Sequence, residues 1–226
     1  MSGLGFRVGE RHTAATPAQA ELFRDVPVST ISDSMNRLTG SGSALPLLNT
    51  DLSIKLCGVA LTVRTRPGDN LMVHHALTLI GPGDVLVVDA GGDTTNAIIG
   101  EIMLAAAVSA GAVGLVVDGA IRDASTLRTG RTPVFARGIS HRGPYKDGPG
   151  EVNVAVQVGG MVVNPGDVVV GDADGLVAIS PADVDPVFAV ASAKAAHEEK
   201  ALQAAREGRR DASWVATRLK EVGFGG

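Results

Sequence analysis

Apolar positions along this chain follow two rhythms. Residues 58–63, 85–88, 114–118 and 133–136 are Val/Leu/Ala-rich runs with almost no polar interruption. Runs without alternation predict strands buried on both faces. Residues 70–80 and 100–110 instead show helical spacing. In the second of these, Ile102, Met103, Ala106, Ala107 and Ala110 share one face, and Gly111 is placed to cap the end. Residues 152–179 read as strand and turn throughout, with strict alternation over 152–158. A long helix is expected over 181–203, with Pro181 at its first position, and a short one over 211–222. Near the start, 17–23 has a short helical pattern. Residues 28–32 read as a strand end and 33–38 as a helix capped by Ser32 or Asp33, with loop over 41–48.

The order is thus α/β first, then β, then α. Neither a doubly wound sheet nor a (β/α)8 barrel has that order, because both alternate throughout. Three Pro-Gly-Asp tripeptides, at 67–69, 82–84 and 165–167, punctuate it. Pro followed by Gly is type II turn chemistry, and two of the three lead straight into a buried run.

Composition narrows the function. Apolar residues are 45% of the 226, enough for a sizeable core, and charged residues are 19%, too few paired with too much apolar content for disorder. Glycine is abundant (29 residues) but has no three-residue period, which excludes collagen. The formal net charge is −4 and aromatics are 3%, so the chain has neither the basic stripe nor the stacking surface of a nucleic-acid binder. One cysteine, Cys57, excludes an internal disulfide framework and a cysteine-built zinc site. No apolar run spans a membrane and no signal-peptide stretch opens the sequence, so a soluble cytoplasmic protein with no membrane partner is expected.

Three segments carry candidate chemistry. Asp89-Ala90-Gly91-Gly92-Asp93-Thr94 follows a buried strand, but it lacks GxGxxG and holds only half of a methyl-donor loop, so it reads as a tight turn. Gly100-Glu101-Ile102-Met103 opens a helix whose first amides have no intrahelical partner and favour an anion. Asp118-Gly119-Ala120-Ile121-Arg122-Asp123 leaves the carboxyl end of a strand. There an Arg can bind a carboxylate or enolate oxygen, and a carboxylate can hold a hard cation. One helix plus one strand separates Glu101 from Arg122, and a βαβ return would bring both to the same sheet edge. A Schiff-base mechanism would need a desolvated lysine. Of the five lysines only Lys55 lies near a strand. His74 and His75 read as packing or capping residues, His141 as a solvated loop residue, and Cys57 as core.

Gly100-Glu101, twenty residues, then Arg122-Asp123 resembles the signature of the RraA-like family. That family contains class II 4-hydroxy-4-methyl-2-oxoglutarate/4-carboxy-4-hydroxy-2-oxoadipate aldolases and the regulator of ribonuclease activity A. The Pro-Gly-Asp segments and Asp172-Ala173-Asp174-Gly175 agree with it, over roughly residues 25–222. The resemblance implies a single-domain α/β fold, a three-layer β/β/α sandwich of the swivelling, phosphohistidine-domain-like type with C-terminal helices. It divides the chain into an N-terminal extension (1–24), a core (25–180) and a C-terminal helical extension (181–226) packing on a neighbouring subunit. It further implies that Asp123 anchors Mg²⁺, Mn²⁺ or another divalent metal and that Arg122 binds the keto or enolate oxygen. It implies too that the amides of Gly100 to Met103 (with Glu101 and Ile102 between) hold a pyruvate carboxylate, that Glu101 and Asp33 bond to waters around the metal, and that Glu198 or Glu199 is lent by a neighbouring subunit. The implied partner is a small 2-oxo acid, the implied assembly a homotrimer or hexamer with sites between subunits. The implied reaction is metal-dependent cleavage of 4-hydroxy-2-oxo acids to pyruvate, with oxaloacetate decarboxylation through the same enolate. A non-catalytic, protein-binding regulator of ribonuclease activity is the alternative, and the acidic set retained here favours an enzyme. The tail departs from the family's aldolases, with Glu207-Gly208-Arg209-Arg210-Asp211-Ala212-Ser213-Trp214 in place of a Gly-Leu-Asp-Met-Tyr-like ending.

Overall fold

A computed structural model of the chain describes residues 5–11 and 13–224. Residues 1–4 and 12 of the expected N-terminal extension, and 225–226 of the C-terminal one, lie outside the described residues. In chain order the elements are β1 (Phe6–Val8), α1 (Pro17–Glu21), α2 (Val28–Ser34), β2 (Leu56–Thr65), α3 (Leu71–Leu77), β3 (Asp84–Asp89), β4 (Ala97–Ile99), α4 (Glu101–Ala110) and β5 (Gly114–Ile121). There follow α5 (Ala124–Thr129), β6 (Val134–Ile139), β7 (Gly150–Val152), β8 (Val156–Val158), β9 (Met161–Val163), β10 (Val168–Asp172), β11 (Gly175–Ile179), α6 (Val184–Arg206) and α7 (Ser213–Glu221).

The middle of the main sheet is parallel: β2 pairs with β3, β3 with β5, and β5 with β6. β10 and β7 pair antiparallel with the two ends of β2, and β11 extends β10. Alternate side chains of the sheet feed two different cores. Leu61, Leu86, Val88, Leu115 and Val117 pack beneath α3, α4 and α5. Their neighbours Ala60, Val85, Val87 and Val116 pack on the β8–β9 hairpin on the other face. A third core joins α1, α2 and α6 to β10 and β11. The result is a helical layer, a large mixed sheet and a small β layer. Burial on both faces explains why the strand runs lack alternation.

The three Pro-Gly-Asp turns behave as their chemistry predicts. Gly68, Gly83 and Gly166 have φ of +76°, +86° and +89°, a region that costs glycine little. The aspartates that follow are buried and accept backbone N–H groups. Asp84 and Asp167 reach back three residues, to Gly81 and Asn164, and so close their own turns.

Residues 28–34 depart from the sequence expectation. They form one helix rather than a strand followed by a helix at 33–38. Apolar spacing there is set by packing against α6, which buries Val28 and Ile31 on one face. The Asp172 side chain accepts from the Val28 amide and satisfies the helix start. β4 and α5, three and six residues long, carry too few positions to show a period. Among the described residues no helix is long and apolar enough to cross a membrane.

Candidate active site

The carboxyl end of β5 delivers Arg122 and Asp123 to the start of α4. The Arg122 amide donates to the Ile99 carbonyl (2.9 Å), which locks β4 against that strand end. Asp123 then turns with φ +56°, in the left-handed region, a conformation that costs a non-glycine residue on the order of 1 kcal/mol or more. The turn aims its carboxylate at α4, where Oδ2 accepts from the Glu101 amide at 2.9 Å. The amides of Ile102 and Met103 remain without an i−4 partner, as the first turn of any helix requires.

Gly100 makes this approach possible. A Cβ there would stand 2.4 Å from Asp123 Oδ2 and 2.9 Å from Arg122 Cγ. Its φ and ψ (−135°, −171°) are open to any residue, so the requirement is space, not backbone freedom. The Glu101 side chain accepts from Thr126 Oγ1 (3.2 Å), which ties α4 to α5 beside Asp123.

A cavity of about 310 Å³ opens over the α4 start. Gly100, Ile102, Met103 and Arg122 line one wall; Asn70, His74 and Lys146 line the other. Sequence reasoning missed this second wall. Asn70 is buried, and its Nδ2 donates to the Ile98 carbonyl (2.9 Å) and to Met103 Sδ. That fixes the amide's orientation and leaves Oδ1 buried with no hydrogen-bond partner. Burial, and secondarily the Lys146 charge, push the His74 pKa below its usual value. A signal for this wall was present in the sequence, because Asn70 and His74 share the segment that follows a Pro-Gly-Asp turn.

Asp69, the last residue of that turn, holds the wall together. It is fully buried, and it accepts from the amides of Leu71, Asp147 and Gly148. It therefore pins the Lys146 loop to α3. Burial raises its pKa, but the three amides and Arg66 outweigh that and hold the carboxyl below the ordinary range. A depressed folded-state pKa contributes stability above the unfolded value, near 4, and that contribution is lost as pH falls through the folded value. Asp69→Asn is therefore expected to lower stability at pH 7 by about 1–3 kcal/mol, with the gap from wild type narrowing below about pH 4. Urea unfolding at both pH values measures it.

Other expected residues lie elsewhere. Asp33, on α2, pairs with Arg37 (2.7 Å) and Lys194 (3.4 Å). Glu198, on α6, also bonds Lys194 (2.9 Å) and accepts from Thr30. Asp33 and Glu198 thus stand together, while Glu101, Arg122 and Asp123 form a separate group under α4. Glu199 is exposed on the next helical position. His141, read as a solvated loop residue, lines a cleft of about 340 Å³ on the other side of Arg122 and Asp123. Gly91 and Gly92 form a turn with positive φ, and a Cβ on Gly92 would press on Arg137, whose Nε bonds Asp118. Cys57 is buried, donates to the Ala20 carbonyl, and has its thiol pKa pushed up to about 11 by burial, which makes it inert.

Among the described residues no three His, Cys, Asp or Glu side chains cluster to hold a metal. The donor set at Asp123 is one carboxylate oxygen not committed to the Glu101 amide, with the Glu101 carboxylate held on Thr126, three residues further along. Such a set suits a hard cation that keeps most of its waters and does not suit a four-ligand zinc site.

A profile of the RraA-like family, described as Aldolase/RraA, matches residues 28–178. A Halalkalibacterium halodurans protein, provisionally named 4-hydroxy-4-methyl-2-oxoglutarate aldolase, is 40% identical over 187 residues, covering 80% of this chain and 88% of its own. The crystal structure of Streptomyces coelicolor RraAS2, described as an unusual member of the RNase ES inhibitor RraA protein family, superposes with a TM-score of 0.74 at 26% identity. It covers 84% of this chain and 98% of that one. An uncharacterized Pseudomonas syringae protein reaches a TM-score of 0.77 at 24% identity, covering 87% of this chain and 96% of its own, and shares the fold.

Proposed function

Because this chain belongs to the RraA-like family, we propose that it is a divalent-metal-dependent lyase that releases pyruvate from 4-hydroxy-2-oxo acids and decarboxylates oxaloacetate. One observation carries the reading: the unpartnered α4 amides and Arg122 line one cavity, and Arg122 also borders the adjoining cleft that holds Asp123, whose carboxylate accepts from the Glu101 amide. The amides of Ile102 and Met103 receive the substrate's C1 carboxylate at the positive end of α4. The Arg122 guanidinium donates to the 2-oxo oxygen and binds it more strongly as it gains enolate charge. Asp123 would hold a divalent cation and Glu101 would bond to its waters; when bound, the cation would supply Lewis-acid stabilisation of enolate charge. On the far wall, Lys146 faces a distal carboxylate.

The assembly proposed is a trimer or hexamer in which a second copy brings Asp33 and Glu198 to Asp123. Two observations support it. The acids fall into two separate groups within one chain. The outer face of α4 exposes Ile102 (81%) and Val108 (43%), apolar surface beside the site that a second copy would cover. Relationship to RraAS2 keeps a regulatory reading in view. Retention of Asp33, Glu101, Arg122 and Asp123 favours catalysis, since protein binding alone has no use for that set. Pyruvate release from oxaloacetate and 4-hydroxy-4-methyl-2-oxoglutarate with Mg²⁺, and its loss with EDTA, tests the reading.

A further inference from the structure

Lys194 reads in the sequence as part of a solvated, mixed-charge helix face. The structure gives it a specific place. Its ammonium lies 3.4 Å from Asp33 Oδ2 and 2.9 Å from Glu198 Oε1. Each carboxylate has a second anchor: Arg37 Nε at 2.7 Å from Asp33 Oδ1, and the buried Thr30 hydroxyl donating to Glu198 Oε2 at 2.7 Å. Both acids therefore have both oxygens engaged, and Lys194 is the group they share. Like charges held this close repel unless a cation lies between them.

We propose that Lys194 is a positioning residue that clamps Asp33 and Glu198 into one unit and offsets their charge, so that an anionic 2-oxo acid can enter the assembled site. The inference rests on the intersubunit lyase reading above. In that site, four carboxylates (Asp33, Glu101, Asp123 and Glu198) face a divalent cation, Arg122 and Arg37, whose charges cancel theirs. Lys194 adds one net positive charge that favours an anionic substrate without touching it.

The electrostatic role makes a prediction of opposite signs. Removing a positive charge from the rim should draw a cation in and keep an anion out. In Lys194→Met, KM for oxaloacetate is expected to rise about five-fold. Mn²⁺ affinity of the same assembled protein, read by electron paramagnetic resonance, is expected to hold or tighten. Lys194→Arg should restore the wild-type KM. A purely structural role would instead weaken substrate and Mn²⁺ together, and that result overturns the proposal, as does a Lys194→Met protein with an unchanged KM. Wild-type protein that releases no pyruvate would overturn the lyase reading itself, and this inference with it. Active wild type beside an indifferent Lys194→Met would overturn the inference alone.

Discussion

Arg122→Ala is expected to lower kcat/KM for pyruvate release by about 10²–10³-fold, the usual cost of removing one preorganised donor from a developing oxyanion. The guanidinium stands at the mouth of the α4 cavity, and its pairing with Asp123 is loose, at 3.8 Å. Its side chain is 44% exposed, so truncation opens no core cavity and stability should change by less than about 0.5 kcal/mol. The loss should therefore appear in rate while thermal unfolding stays put. Arg122→Lys should recover only part of the rate, because a point charge cannot reproduce the planar fork. Full activity in the alanine variant would remove Arg122 from the mechanism.

Gly100→Ala adds one methyl group and is expected to cost about 10²-fold in activity, the effect of displacing reacting groups by an ångström or so. Backbone angles at 100 suit alanine, but the new Cβ would overlap Asp123 Oδ2 and crowd Arg122 Cγ and Nε. Asp123 Oδ2 and Arg122 Cγ are close to their own backbones and cannot swing aside cheaply. Asp123 has little freedom of its own, because its left-handed backbone and its bond to the Glu101 amide already fix it. The overpacking should cost roughly 1–3 kcal/mol in stability, small beside the rate effect. Steady-state kinetics with urea unfolding on the same sample separates the two. A variant with wild-type kinetics would mean that Asp123 and Arg122 work from positions other than these.

Legibility in the sequence followed physical cause. Strands buried on both faces, and turns that need glycine, leave marks that survive without a structure: β3, β5, β10 and the three Pro-Gly-Asp turns were all readable. Gly111 was readable as a cap, and it adopts φ +112°. The meeting of the α4 start with Arg122 and Asp123 was also readable, because Gly100-Glu101 and Arg122-Asp123 one helix and one strand apart imply one sheet edge. What escaped depends on long-range packing. The α2 helix takes its period from α6, about 150 residues on, as the Thr30–Glu198 hydrogen bond illustrates. Ile102 was grouped with a buried face, yet it is exposed beside the cavity, because α4 buries only Met103 and Ala107. Asn70, His74 and Lys146 meet because the Asp69 carboxylate and the Tyr145 backbone tie two distant segments together.

Metal-dependent pyruvate release is the activity proposed for this site. Purified protein given oxaloacetate and 4-hydroxy-4-methyl-2-oxoglutarate, with Mg²⁺ and then with EDTA, measures it. Pyruvate is expected from at least one substrate, abolished by EDTA, restored by excess Mg²⁺ or Mn²⁺, and reduced at least about a hundredfold in Arg122→Ala. No metal-dependent pyruvate from either substrate would contradict it.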